Sequence, residues 1–190
     1  MKKFLLKYKV YFSILVVLLI IFILLIMLLG QGTHDQSAIN ISYLTNNQKI
    51  SVSNALPMTD VVGKNISSDN YKKNITGYTE FMVESNVRDK VRYEIYLTKE
   101  DIKSEVPVKF VKVFLTDFQD QPLKYFDSSK VPTYYDLRLS SLVADGKLIY
   151  SGSLKGGESQ KFKLRMWVAD TYELTAEEVN FSVKINVVVK

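Results

Sequence analysis

Two patterns of apolar residues divide this chain. From Val10 to Leu29 the run VYFSILVVLLIIFILLIMLL is apolar on every side, and no charge occurs between Lys9 and His34. Beyond Lys49, apolar residues recur at every second position, the period of a strand with one buried face. Ile50 and Val52 mark a first strand over Lys49–Ser53, and Ile39–Leu44 suits a short extra one. Thr79, Phe81 and Val83 alternate against Glu80 and Glu84; Val91, Tyr93, Ile95 and Leu97 oppose Arg92, Glu94 and Thr98. Phe110–Leu115 is apolar on both faces, which predicts a central strand. Short strands are expected at Leu123–Phe126 and from Leu137 to Leu142, with turns at Asp145-Gly146 and Gly156-Gly157. Over Gln160–Val168, Phe162, Leu164, Met166 and Val168 face inward and Lys161, Lys163 and Arg165 outward. Trp167 shares the charged face, so it is expected to pack on the arginine or under a loop. Asp170–Glu178 suits a short helix, and Ala55–Val62 a helical turn plugging the core, followed by a polar loop over Gly63–Lys73. Val179, Phe181, Val183, Ile185, Val187 and Val189 close the chain in alternation. Eight or nine such strands predict a mainly β fold: an antiparallel β-sandwich, jelly-roll or immunoglobulin-like, behind one transmembrane helix.

The first run is long enough for that helix. At about 1.5 Å per residue, some twenty residues span the roughly 30 Å hydrocarbon core of a bilayer. A helix satisfies its own backbone in lipid. Lys2, Lys3, Lys7 and Lys9 precede it with no acid among them, which places the N-terminus in the cytoplasm and the rest outside. A cleaved signal peptide has a shorter apolar core of about 7–15 residues and a small-x-small exit; here the exit reads Met27-Leu28-Leu29-Gly30-Gln31-Gly32. The organisation expected is a basic tail over 1–9, a signal-anchor helix over 10–30, a polar linker over 31–47 and an extracytoplasmic domain over 48–190. The partner of the helix is membrane lipid.

Charge adds little beyond topology. The net charge is +5, and without the four N-terminal lysines the 25 Lys and Arg fall to 21 against 20 Asp and Glu. The outer region is nearly neutral and carries no basic, aromatic-laced stripe, so nucleic acid is not an expected partner. Cysteine is absent. That excludes a lipoprotein and, in an exported chain, suggests a bacterial surface rather than an oxidising eukaryotic compartment. The Asn-x-Ser/Thr matches at Asn40, Asn65, Asn74 and Asn180 then read as unmodified asparagines.

Chemistry-bearing motifs are sparse. His34 is the only histidine and falls in the linker, remote from any place where a triad would need it. Zinc needs His or Cys clusters, and no cofactor is expected. Asp117 and Asp120 flank a turn and offer hard oxygens to calcium, although Asp-x-x-Asp before Pro is commonly a turn closed by a side chain. Tyr125, Tyr134, Tyr135, Tyr150 and Tyr172 fall near turns or strand ends; they either contact a partner or fill edges with their hydroxyls in water. The alternation of Val183, Ile185, Val187 and Val189 marks a possible partner-binding edge strand.

The segment Lys161–Tyr172, KFKLRMWVADTY, with Phe81–Asn86 and Tyr93–Leu97, resembles small membrane-anchored Firmicutes surface proteins with a β-sandwich ectodomain. More distantly it is similar to the TasA/camelysin group of biofilm-matrix and surface proteins. The resemblance implies fold and location, and transfers no functional residue. The leading expectation is therefore a non-enzymatic surface or envelope module that binds an envelope protein or its own copies. An accessory or sensor subunit of a membrane complex is the alternative, and a cell-envelope hydrolase the third.

Overall fold

The computed structural model describes residues 16–20, 38–44, 48–72, 75–100, 105–127, 129–174 and 179–190. The chain divides into two units, Met1–Gln36 and Ser37–Lys190. In the first, residues 16–20 are helical, with exposed Val and Leu side chains. Among the described residues no helix is long and apolar enough to cross a membrane; the remainder of the expected span 10–29 lies outside them.

The second unit is mainly β. Its strands are β1 (Ile39–Tyr43), β2 (Lys49–Val52), β3 (Pro57–Met58), β4 (Gly77–Ser85), β5 (Val91–Lys99), β6 (Val111–Asp117), β7 (Lys147–Leu154), β8 (Ser159–Ala169) and β9 (Phe181–Val189). One sheet runs β1-β4-β8-β3, with β6 also on β8; the other runs β2-β9-β5-β7. Every named pair is antiparallel except β3 with β8. Consecutive strands exchange sheets at almost every step, so the turn at Gly156-Gly157 links β7 of one sheet to β8 of the other. Gly157 takes φ +75° there, a left-handed conformation that glycine adopts without a Cβ penalty.

The alternation places the core. Phe81 and Val83 of β4 and Phe162, Leu164, Met166 and Val168 of β8 are fully buried, with Tyr93, Ile95 and Leu97 of β5 and Ile185 of β9. They form one apolar cluster drawn from both sheets. Phe81 stacks on Phe162 at 5.2 Å. Polar bonds also cross between the sheets: the Tyr93 hydroxyl donates to Gln160 Oε1 at 3.0 Å, and the Tyr43 hydroxyl to the Ile185 carbonyl at 3.3 Å. Burial pushes the Tyr43 phenol up to about 12.

Several expectations change. β9 lies between β2 and β5, and it is paired on both sides over Val183–Lys184. Val183 and Ile185 are core residues, and Val187 and Val189 pair opposite Ile95 and Tyr93 of β5. The named pairing with β2 ends at Lys184, so beyond it β9 is registered with β5 alone, and Val189 is 44% exposed: the expected edge is lost at Val183 and Ile185 but not over the last residues. Conversely, β6 is not central. It has β8 on one side and, on the other, isolated bridges to Pro122 and Thr133. Its second apolar face is covered by the following loop, where Phe126 meets Phe114 edge-on at 6.4 Å. Leu123–Phe126 is a turn instead of a strand, closed by Phe126 N–H to the Leu123 carbonyl at 2.6 Å. The expected strand at Leu137–Leu142 is reduced to one bridge, Leu139 with Lys147. Of the expected helix Asp170–Glu178, residues 170–172 form a turn and 175–178 lie outside the described residues. β1 falls within the segment expected as a linker, whose remaining residues are mostly outside those described. Glu94, expected outside, is 3% exposed and pairs with Lys190 at 3.0 Å.

Candidate functional site

The segment that departs most from expectation is residues 59–72, which crosses the outer face of the β4–β8 sheet as a strap. It begins with a short helix, Asp60–Lys64, capped by Thr59, whose side chain accepts from Val62 N–H at 3.4 Å. Asp60 lies in its first turn and Lys64 in its last, the arrangement favoured by the helix dipole. Val61 and Val62 do not plug the core: they are 72% and 56% exposed. The inward residue is Gly63. A Cβ there would lie 2.1 Å from Trp167 Cε2, so only glycine lets the helix backbone rest on the indole. Trp167 is thus under a segment of chain, as its place on the charged face suggested.

Beyond the helix the strap organises itself. Asn65 Nδ2 donates to the Val61 carbonyl at 3.0 Å, Asn70 Nδ2 to the Asn65 carbonyl at 2.9 Å, and Ser67 N–H to Asn70 Oδ1 at 2.7 Å. Ile66 is the strap's buried apolar anchor. Its carbonyl accepts from Arg165 Nε at 2.5 Å. Arg165 is only 3% exposed yet fully engaged: Nη1 donates to Thr116 at 3.0 Å, Nη2 bonds Asp120, and the guanidinium lies 5.8 Å from the centre of the Tyr78 ring. Lys163 also reaches Asp120, at 2.8 Å. Burial pushes the Asp120 carboxyl up, but hydrogen bonds from Lys163 and Arg165 outweigh it and hold the group below its ordinary range.

On its outer side the strap borders a cleft of about 570 Å³, lined by Leu56, Met58, Val61, Val62, Ile66 and Ile75 with Asn65, Asn70, Lys72 and Thr76 at its polar margin. Leu56 is 52% exposed. Clustered exposed apolar side chains around a concavity are the usual mark of a surface that meets a partner. The cleft offers no acid–base pair; its chemistry is apolar contact ringed by amides and one cation.

The residues singled out from sequence are dispersed. Asp117 Oδ1 accepts from the backbone of Gln119 and Gln121 at 2.9 and 2.8 Å, closing a turn, while Asp120 faces two cations. Both oxygens of Asp120 are taken by cations, and among the described residues no group of three His, Cys, Asp or Glu is arranged to hold a metal. His34 lies outside the described residues. The tyrosines do not converge. Tyr134 is buried and donates to the Leu97 carbonyl at 3.4 Å, Tyr150 donates to Gln160 at 3.2 Å, and Tyr172 packs on Phe110 at 5.1 Å. Tyr135 is exposed, 5.8 Å from Lys147, and Tyr125 lies 5.4 Å from Arg138. Of the four expected edge positions of β9, Val183 and Ile185 are buried in the core, Val187 packs partly against it and Val189 is exposed. The cleft was missed because Leu56–Val62 reads as core; the signal available was Gly63 among bulky neighbours, which marks a close backbone approach. Compared with protein-family models and with curated protein sequences, the chain matches none.

Proposed function

We propose that this chain is a single-pass membrane protein whose outer unit is a β-sandwich that assembles with further copies of itself, without catalysing a reaction. In this reading the basic tail stays in the cytoplasm, the apolar run of residues 10–29 spans the bilayer, and the β unit lies outside. The helical, lipid-suited side chains at residues 16–20 are compatible with it. Strands that alternate between two sheets around a common apolar cluster support a sandwich.

The observation that carries the assembly function is the exposed trio Leu56, Val61 and Val62 at the strap cleft. A second copy is the occupant its chemistry fits. The helix bears Asp60 at one end, 3.7 Å from Lys112, and Lys64 at the other, over the Phe114 ring; a two-fold related helix laid antiparallel adds an opposite charge to each of these contacts over the paired valines. Tethering to one membrane raises the local concentration, so a modest interface suffices. The test is chemical cross-linking of the full chain in membranes, comparing wild type with the double variant Val61→Lys, Val62→Glu. Loss of the cross-linked dimer with an unchanged melting temperature supports the reading. An undiminished dimer removes the cleft from it, and a cross-link to a different protein replaces self-assembly with partner capture.

A further inference from the structure

Trp167 is the chain's single tryptophan. It is completely buried, and its indole N–H has no hydrogen-bond partner. A buried donor without an acceptor is disfavoured relative to one that meets water or a ligand. The strap that buries it is built to keep its own structure. The bonds among Asn65, Ser67 and Asn70, the Thr59 cap and the Tyr71 N–H to Ser67 carbonyl bond at 2.9 Å are all internal to residues 59–72. Its hold on the sheet is of another kind. Gly63 rests on the indole, Arg165 grips the Ile66 carbonyl, Tyr71 lies 5.9 Å from Tyr78, and Lys112 reaches Asp60 at 3.7 Å. The helix turns Val61 and Val62 away from the sheet, so the apolar burial that opposes its release is confined to Ile66 and Tyr71 of the strap and to Trp167 and Tyr78 beneath it.

We propose that the strap, residues 59–72, is a hinged cover that lifts from Trp167 as a unit while both sheets stay folded. Its ends are fixed: β3 pairs with Val168 and Ala169 on one side, and β4 begins at Gly77 on the other. Lifting breaks the Arg165–Ile66 bond but leaves Arg165 held by Thr116 and Asp120, both in or next to β6. The open state therefore bares a flat indole with a free N–H beside a fixed guanidinium. Local opening of this kind is seen as faster amide exchange in one segment than in its surroundings.

The test uses the full chain in detergent, with two readouts. In wild type, amides of residues 63–71 are expected to exchange at least about tenfold faster than those of β4 and β8. In Gly63→Ala the added Cβ collides with the indole and displaces the strap. Trp167 emission should shift to the red and acrylamide quenching should rise, while β4, β5 and β8 amides keep their wild-type exchange. Three results would overturn the proposal: strap and strand amides exchanging at one common rate in wild type, Gly63→Ala unfolding the sheets with the strap, or Gly63→Ala leaving the Trp167 signal unchanged.

Discussion

Single residues on β8 show how far alternation can be trusted. Phe162, Leu164, Met166 and Val168 are all fully buried, as a two-residue period requires. On the opposite face Lys161, Lys163 and Arg165 are expected in solvent and Trp167 under cover, and of the three cations only Lys161 is exposed. Arg165 and Trp167 are covered because a strap distant in sequence crosses them; a tryptophan among cations hints at such a cover, but nothing within the strand says which segment supplies it or that the arginine is buried with it. The ion cluster under the strap predicts a pH response. Arg165 and Lys163 hold the Asp120 carboxyl below its ordinary 3.8. A carboxyl depressed by folding contributes stability above its unfolded value and loses it as pH falls through its folded value. Urea stability should therefore decline below about pH 3.8, and Asp120→Asn should flatten that part of the acid limb. Because the Asp120 side chain is 55% exposed, water screens the pair and the effect should stay within about 1 kcal/mol. An acid limb identical in wild type and Asp120→Asn would remove this pairing from the account.

Among the elements, the long strands were legible and their neighbours were not. β4, β5, β8 and β9 appear where their periods predict, whereas order within a sheet depends on contacts far apart in sequence. β6 looked central because a loop mimics a second sheet over its outer face; β9 looked like an edge throughout because the cover that β2 gives its first half comes from a remote part of the chain. The distinction has a consequence for the last residues of β9. Val187 and Val189 pair with Ile95 and Tyr93, and Lys190 donates to Glu94 Oε1, while the buried Oε2 has no hydrogen-bond partner. Deleting Asn186–Lys190 removes that cation and the ladder opposite Tyr93–Tyr96, and the charge-assisted hydrogen bond alone is worth about 1.5–3 kcal/mol. That is a large share of the roughly 5–15 kcal/mol that holds a domain together. The truncated protein is expected to melt far below wild type, and Glu94→Gln should restore part of the loss. A truncation that keeps its melting temperature but no longer associates would return β9 to the role of a docking edge.

At the scale of the whole molecule, two kinds of pattern meet in one chain. The mainly β character of the second unit was plain from sequence, since nine strands appear among the described residues where eight or nine were expected. The cleft at Leu56–Thr76 was not, because an exposed valine and a buried one are the same letter. The central claim remains the division between an apolar membrane span and an outer assembly unit. It is tested most directly by adding protease to intact cells and then extracting their membranes with alkaline carbonate. The account predicts that external protease removes the β unit, while an N-terminal fragment containing residues 10–29 stays in the carbonate-resistant pellet. A chain protected from external protease, or released whole into the carbonate supernatant, would contradict it.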